Sequence, residues 1–330
     1  NSEDLLRSRR KRSGGMDTPP ELTLLFVNWH GGQDLLDALD SLGSDPYVPA
    51  QVRVWVVDGN TRDPDPETAR SVYPGLTWIQ LGDNPGYGGA VNRVLEKVAT
   101  PFVAVANTDL LFPPGTLRHL VQFLKQHPGA GWVGPRIETP EGLIQSEMLL
   151  FEPSFWKAVV DLLRVERVPF RWIAREIRFP LPFATIHRPR RAPQTYGAMM
   201  LFRTRALREA GGFPEEVFLF GEELLLGARM RRAGWEGGYD PRVRVIHRQG
   251  KSIGKLWNME ERFVRVREAE WLAYRSILPW WKAWIWWALK RTSVEVMLRY
   301  EQWKRRPERR ARYEKLRTVY RPPLGEGPPR

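Results

Sequence analysis

The chain reads as an α/β protein, a mainly parallel sheet with helices on both faces, followed by a helical extension. Three observations predict it. Strand-length apolar runs alternate with helix-period runs from residue 22 onward, the strand runs are apolar on both faces, and each stops at a polar or acidic turn. At 330 residues and 42% hydrophobic content the chain can bury a full core with an appendage beside it.

Residues 1–20 are polar and basic, with no period that builds a core, and are expected to form a disordered or vector-derived lead-in. The run 22–27 predicts a first strand ending in Asn28-Trp29-His30-Gly31-Gly32, and 34–42 a helix carrying Leu35, Leu36, Leu39 and Leu42 on one face. A second strand, 52–57, ends at Asp58-Gly59. A third, 76–81, leads into a glycine turn around Asn84 and Gly86, then a helix through Val91, Leu95 and Val98. The fourth, 102–106, stops at Asn107-Thr108-Asp109, and Pro113-Pro114-Gly115 breaks the chain before a helix over 116–127. In open α/β sheets ligands bind at the carboxyl ends of the strands, so Asn28, Asp58, Asn84 and Asp109 are expected to line one edge. For Asp109 taken alone, a turn-forming role is the simpler reading.

Beyond a strand at 131–135 the pattern loosens. Residues 142–191 mix Pro, basic and aromatic residues and are expected to form a mobile surface segment or lid on the acceptor side. Order returns at 195–202, where Gly197-Ala198 leaves room for something to approach the backbone. Glu222-Glu223 open a helix that Gly234 stops, and two short strands, 235–239 and 243–247, close a domain spanning 21–254. The remainder, 255–330, is rich in Arg, Lys and Trp, with Trp280, Trp281, Trp284, Trp286 and Trp287 inside eight residues. Its apolar stretch 277–289 is too short to span a bilayer. Tryptophans beside Lys282, Lys290 and Arg291 read as an interfacial helix on a membrane surface; packing against the catalytic domain or a partner subunit is the alternative, and a homo-oligomer fits either.

The net charge of +13 sits at the ends: residues 1–15 carry five Lys/Arg against two Asp/Glu, and 255–330 carry 19 against nine. The centre balances at 27 against 27, which disfavours nucleic acid as a partner. With no cysteine, disulfide frameworks and thiolate metal sites are excluded, in keeping with a reducing cytosol.

Seven segments in order carry a resemblance: VNWHGG at 27–32, VVDGNT at 56–61, DNPGYGGAVNR at 83–93, NTD at 107–109, YGAMMLFR at 196–203, GGFPEEVFLFGEELLL at 211–226 and IHRQGKS at 246–252. Together they resemble the inverting family-2 glycosyltransferases, and within them rhamnosyltransferase-like members with a GT-A fold. The resemblance implies a nucleoside diphosphate sugar donor, dTDP- or UDP-linked, and a glycan acceptor; the basic, Trp-rich tail suggests that the acceptor is a lipid-linked glycan at the membrane and that the enzyme works peripherally from the cytoplasmic face. It makes Asp58, with Asn28 nearby, the contact to the pyrimidine base, and lays Asn84, Gly86 and Asn92 along the donor. Asn107 and Gly197 join the nucleotide-sugar site. Asp109, with His247, is implied as ligand of a divalent cation, Mg2+ or Mn2+, that neutralises charge on the departing diphosphate. The Glu222-Glu223 pair matches the family's Glu-Asp, whose second acid takes the acceptor proton as the hydroxyl attacks. Glu223 is one methylene longer than the usual Asp, and Leu225 stands where an acid is common. Two rivals follow: a catalytically weakened scaffold that binds membranes or polyanions, and a nucleotidyltransferase, although the turn after the first strand lacks the basic phosphate loop the latter needs.

Overall fold

A computed structural model describes residues 19–145, 187–192, 195, 197–218, 221–248 and 259–320. Residues 1–18 of the expected lead-in, and most of the expected lid, lie outside the described residues.

The first half alternates as its hydrophobic pattern requires. Strands β1 (Leu22–Asn28), β2 (Val52–Asp58), β3 (Thr77–Gln80) and β4 (Phe102–Ala106) are separated by helices α1 (Gly32–Gly43), α2 (Tyr47–Gln51), α3 (Pro66–Val72) and α4 (Gly86–Leu95). All four strands are parallel, in the spatial order β3-β2-β1-β4. Parallel register aligns the polar strand ends: Asn28 lies opposite Asp58, and Asp58 opposite Gln80. Alternate residues of β1 feed opposite cores. Leu22, Leu24 and Phe26 pack with Leu35 and Leu39 of α1, while Leu25 packs with Tyr87 and Val91 of α4.

The second half makes the sheet mixed. It comprises β5 (Leu110–Leu111), α5 (Thr116–Gln126), β6 (Ala130–Glu138), β7 (Arg190–Arg191), β8 (Met199–Arg203), α6 (Thr204–Glu209), α7 (Glu222–Arg232) and β9 (Glu236–His247). Strand β8 runs antiparallel to β4 and brings Met199 opposite Ala106, so the Gly197–Ala198 step meets the NTD turn. Beyond β8 follow β6, β9 and β5. The short antiparallel β5–β9 pair sets Leu110 opposite His247, which makes Asp109 and His247 neighbours although they are far apart in sequence.

Two expectations change here. The two closing strands are one strand, β9, interrupted by a register shift: Pro135 faces Asp240 and Arg136 faces Arg244. Pro241 has no N–H to give a ladder, and the irregularity accommodates it. The glycine turn after β3 is also shorter than expected, because α4 starts at Gly86 itself. Gly86 has φ 81°, and a side chain there would begin 2.6 Å from the Phe218 carbonyl oxygen, so these glycines let the helix start lie directly on the 213–218 loop.

After the sheet come α8 (Met259–Ile277), α9 (Trp280–Trp303) and α10 (Pro307–Val319). Their core is aromatic. Trp286 is fully buried, stacked on Trp271 at 5.2 Å and on Tyr274 at 4.5 Å, with the Tyr320 ring edge-on. The tryptophan run therefore divides: Trp286 builds this core, whereas Trp280, Trp281 and, farther on, Trp303 face solvent. A second contact joins α8 to α7, where Ala269 and Ala273 pack on Val217 and Leu225. Among the described residues no helix is long and apolar enough to cross a membrane.

Candidate functional site

The strand ends of β1 to β3 build a closed polar cluster around Asp58. Its carboxylate is wholly buried and accepts from five donors. Oδ1 takes Asn28 Nδ2 at 2.6 Å and Thr61 Oγ1 at 2.7 Å; Oδ2 takes Thr61 N at 2.9 Å, Arg62 N at 3.0 Å and Gln80 Nε2 at 2.7 Å. Burial pushes its pKa up, but these hydrogen bonds outweigh it and hold the carboxyl below its ordinary value. Asn28 spends its remaining capacity on Asp63 O and on the Gly31 N–H. The two together fasten loops 29–32 and 59–63 to each other. Those loops hold His30, Asn60 and Arg62 with positive φ, a conformation that needs such support in residues other than glycine.

Asn84 lies beside this cluster, its Cγ 3.6 Å from where a side chain on Gly59 would begin, and it caps α4 by accepting the Gly86 N–H at 3.0 Å. Asn92, two turns on, faces the other way. Its amide exchanges hydrogen bonds with Phe213 N and O and reaches Glu215, so it anchors the loop that leads to α7.

Asp109 and His247 form the second station. Both are buried, with His247 Nε2 3.2 Å from Asp109 Oδ2. Gln145, which no sequence motif marked, fixes the imidazole. Its Nε2 donates to the His247 carbonyl at 3.3 Å, which turns Oε1 toward Nδ1 at 2.8 Å. The ring is thereby held with Nδ1 toward Gln145 and Nε2 toward the Asp109 carboxylate. A carboxylate oxygen and an imidazole nitrogen this close form a pair that a cation can bridge. Nearby, Arg248 donates its backbone N–H to Asp109 O and pairs with Asp37 and Asp34. Burial raises the Asp34 pKa, the Asp109 charge adds to the rise, and Arg248 opposes it. No group of three or more His, Cys, Asp and Glu side chains with metal-holding geometry occurs among the described residues. The donor set is one carboxylate and one imidazole.

Glu222 and Glu223 form the third station, at the amino end of α7 and both buried. The Glu223 carboxylate accepts the Gly221 N–H at 3.1 Å and lies over Gly197, where an added side chain would begin 3.4 Å from its Cδ. Here burial dominates and pushes the Glu223 pKa up to about 7, against smaller lowering by the backbone N–H groups of Glu223 and Gly221. The second and third stations converge on Tyr87. Its hydroxyl donates to Gly197 O at 3.4 Å, and its pKa is raised by burial first and then by the charges of Glu222, Glu223 and Asp109. Asn107 closes the circuit, donating its N–H to Ala198 O at 2.9 Å.

The structure thus gathers Asp109, His247, Asn107, Gly197, Glu222 and Glu223 around one centre, with the Asp58–Asn28–Asn84 cluster beside it. It directs Asn92 outward to a loop. Gln145, Gln80, Thr61 and Tyr87 are additions; Thr61 and Tyr87 lay inside quoted motifs, while Gln145 sits in a stretch without periodicity.

The sequence model described as "Glycosyltransferase like family 2" matches residues 19–266. The chain is 28% identical over 322 residues to N-acetylglucosaminyl-diphospho-decaprenol L-rhamnosyltransferase of Mycobacterium tuberculosis H37Rv, covering 90% of this chain and 97% of that protein. It is 27% identical over 270 residues to the O-antigen biosynthesis protein RfbC of Myxococcus xanthus, covering 78% of this chain but 19% of that one. Among solved structures, S. aureus TarS 1–349 in complex with UDP-GlcNAc aligns over 86% of this chain and 73% of that one, with a TM-score of 0.52 and 15% identity. The match to the longer TarS chain has a TM-score of 0.51 and 14% identity, and covers 85% of this chain and 43% of that one. At those identities the likeness is one of fold, and the fold is GT-A.

Proposed function

This chain belongs to glycosyltransferase family 2 and is a glycosyltransferase; from that premise we propose that it is a metal-dependent, inverting enzyme. It moves a sugar, rhamnose in the first instance, from a dTDP- or UDP-linked donor to a hydroxyl of a lipid-linked or cell-envelope glycan. The observation that carries this reading is the buried Glu223, poised near neutrality beside Gly197, in the same centre as the Asp109–His247 pair.

In this reading the nucleoside rests against loops 29–32 and 59–63. Asp58 acts there as their clamp, because its oxygens already hold five donors. Asn84 and Gly86 border the donor at the start of α4, Asn107 lines it from the β4 end, and Asn92 steadies the loop behind. Asp109 and His247 would hold a Mg2+ or Mn2+ ion, whose chemistry is to offset charge on the leaving diphosphate. The donor set fits: a carboxylate oxygen and an imidazole nitrogen converge within 3.2 Å, and phosphate oxygens and water commonly complete such shells. Glu223 accepts the acceptor hydroxyl's proton as that oxygen attacks the anomeric carbon opposite the diphosphate, which inverts it. The burial of Glu223 at the start of α7 keeps water from that carboxylate.

The sheet and its helices form the catalytic unit, and the helices that follow, α8 to α10, the tail. The tail rests peripherally on the inner face of the cytoplasmic membrane through exposed Trp280, Trp281 and Trp303, with Lys282 over Trp281 and Lys304 over Trp303. The relative from M. tuberculosis is named for a decaprenyl-linked acceptor, which supports a lipid-linked substrate here. Nucleoside diphosphate release across a panel of dTDP- and UDP-sugars, with polyprenyl-diphospho-GlcNAc as acceptor, tests the proposal. Release is expected with Mn2+ or Mg2+ and to be lost on chelation and in Asp109→Ala. Release that chelator and Asp109→Ala both leave unchanged overturns the metal assignment.

A further inference from the structure

The contact between the tail and the catalytic domain falls on the turn that holds Glu223. Gly221 precedes α7 with φ 92°, and its N–H is a donor to the Glu223 carboxylate. A side chain on Gly221 would begin 2.5 Å from the Ala269 Cβ of α8, so the tail helix lies directly on this glycine. Ala269 and Ala273 are both buried in that seam, packed with Val217 before the turn and Leu225 after it. The turn is thus bracketed by tail side chains, and small residues at 269 and 273 set the distance of approach.

We propose that Ala269 is a positioning residue for the transfer reaction: α8 of the tail acts as a backstop that holds the Gly221 turn, and through its N–H the Glu223 carboxylate, in the reactive place. The tail then has a catalytic task besides any contact with a surface. Close packing leaves no slack at this seam, so a longer side chain at 269 must displace either the turn or the helix. Either displacement moves Glu223 relative to Gly197, while the Asp58 and Asp109 stations lie on other elements and keep their geometry. This inference rests on Glu223 being the base, and the experiment separates the two.

The test is steady-state kinetics on the full chain for Ala269→Ser, Ala269→Val and Ala269→Leu, with calorimetric binding of UDP and Mn2+ and thermal melting as parallel readouts. Ala269→Ser, which adds a single atom, should show the smallest loss. Ala269→Val and Ala269→Leu should lose kcat progressively, about tenfold or more for Leu, with donor KM and UDP binding within twofold of wild type. If Leu detaches α8 from α7, kcat must still fall while UDP binding persists, because undocking removes the same support. Val294→Ala, which loosens the tail's own core away from Gly221, should leave kcat unchanged. Unchanged kcat in Ala269→Leu, or an equal loss in Val294→Ala, overturns the backstop. Glu223→Gln in the same assay identifies the base: if it stays active, the reading of Glu223 fails, whereas an inactive Glu223→Gln beside an unaffected Ala269→Leu refutes the backstop alone.

Discussion

Asp58 and Glu223 are both sealed from water, yet their carboxyls are displaced in opposite directions. Asp58 ends a parallel strand, where loop N–H groups and the Asn28, Thr61 and Gln80 side chains converge, and its charge is held below the ordinary range. Glu223 starts a helix against Gly197 and Tyr87, receives the Gly221 N–H, and rises to about 7. Burial is the largest single influence on each. What separates them is the number of donors supplied to the charged form, and that number follows from the elements around them. A carboxylate saturated with donors is a structural clamp, and one starved of them can take up a proton near neutral pH.

The sharpest way to break this contrast is Glu223→Gln, which keeps the volume and removes the base. It should lower kcat by about 10²- to 10⁴-fold. UDP binding should stay near wild type. A smaller loss, or an equal loss of nucleotide binding, would place Glu223 with the clamps. Asp58→Asn asks the converse. An amide nitrogen would then face donors inside a closed cluster, costing about 1.5–3 kcal/mol of stability by urea unfolding, and donor affinity should fall with the loops. Stability equal to wild type would mean that the five-donor cluster does not act as a clamp. Thr61→Val, which removes one of the five donors while keeping the shape, is the mildest probe. About 1 kcal/mol is expected from the same unfolding curves, with kcat unaffected.

The placement of Asn28 and Asp58 at one sheet edge was legible in the sequence; the five donors that make Asp58 a clamp were not. Asn28 and Asp58 each end an apolar run, and once both strands are parallel their register is forced. The sheet's first half was readable for the same reason: runs apolar on both faces, punctuated by Gly, Pro and Asp, admit few other arrangements. What did not show was anything depending on pairing between segments far apart in sequence. Gln145 reaches His247 only because β9 returns beside β6 and residue 145 folds back to bond Ile137. No periodicity announces that contact. The fused β9 was hidden by Pro241, which reads as a strand break but sits in a register shift. The tail's tryptophans were ambiguous on physical grounds, since an indole suits a lipid headgroup layer and an aromatic core alike, and the chain uses Trp286 for the core and exposes Trp280. Glu222-Glu223 stand out as a motif, but the raised pKa of Glu223 comes from burial, which depends on elements distant in sequence, the Gly197 backbone among them.

The central claim is that Glu223 works as a base because burial lifts it toward neutrality. The dependence of kcat on pH in the wild-type enzyme, at saturating donor and acceptor, tests it most directly. Because the folded-state pKa is raised, the carboxyl is protonated and inactive below that value, so kcat should rise with pH through a single ionisation near 7 and then level off. A kcat that is flat from below pH 6 to above pH 8, or that rises with a midpoint in the ordinary carboxylate range, would contradict it.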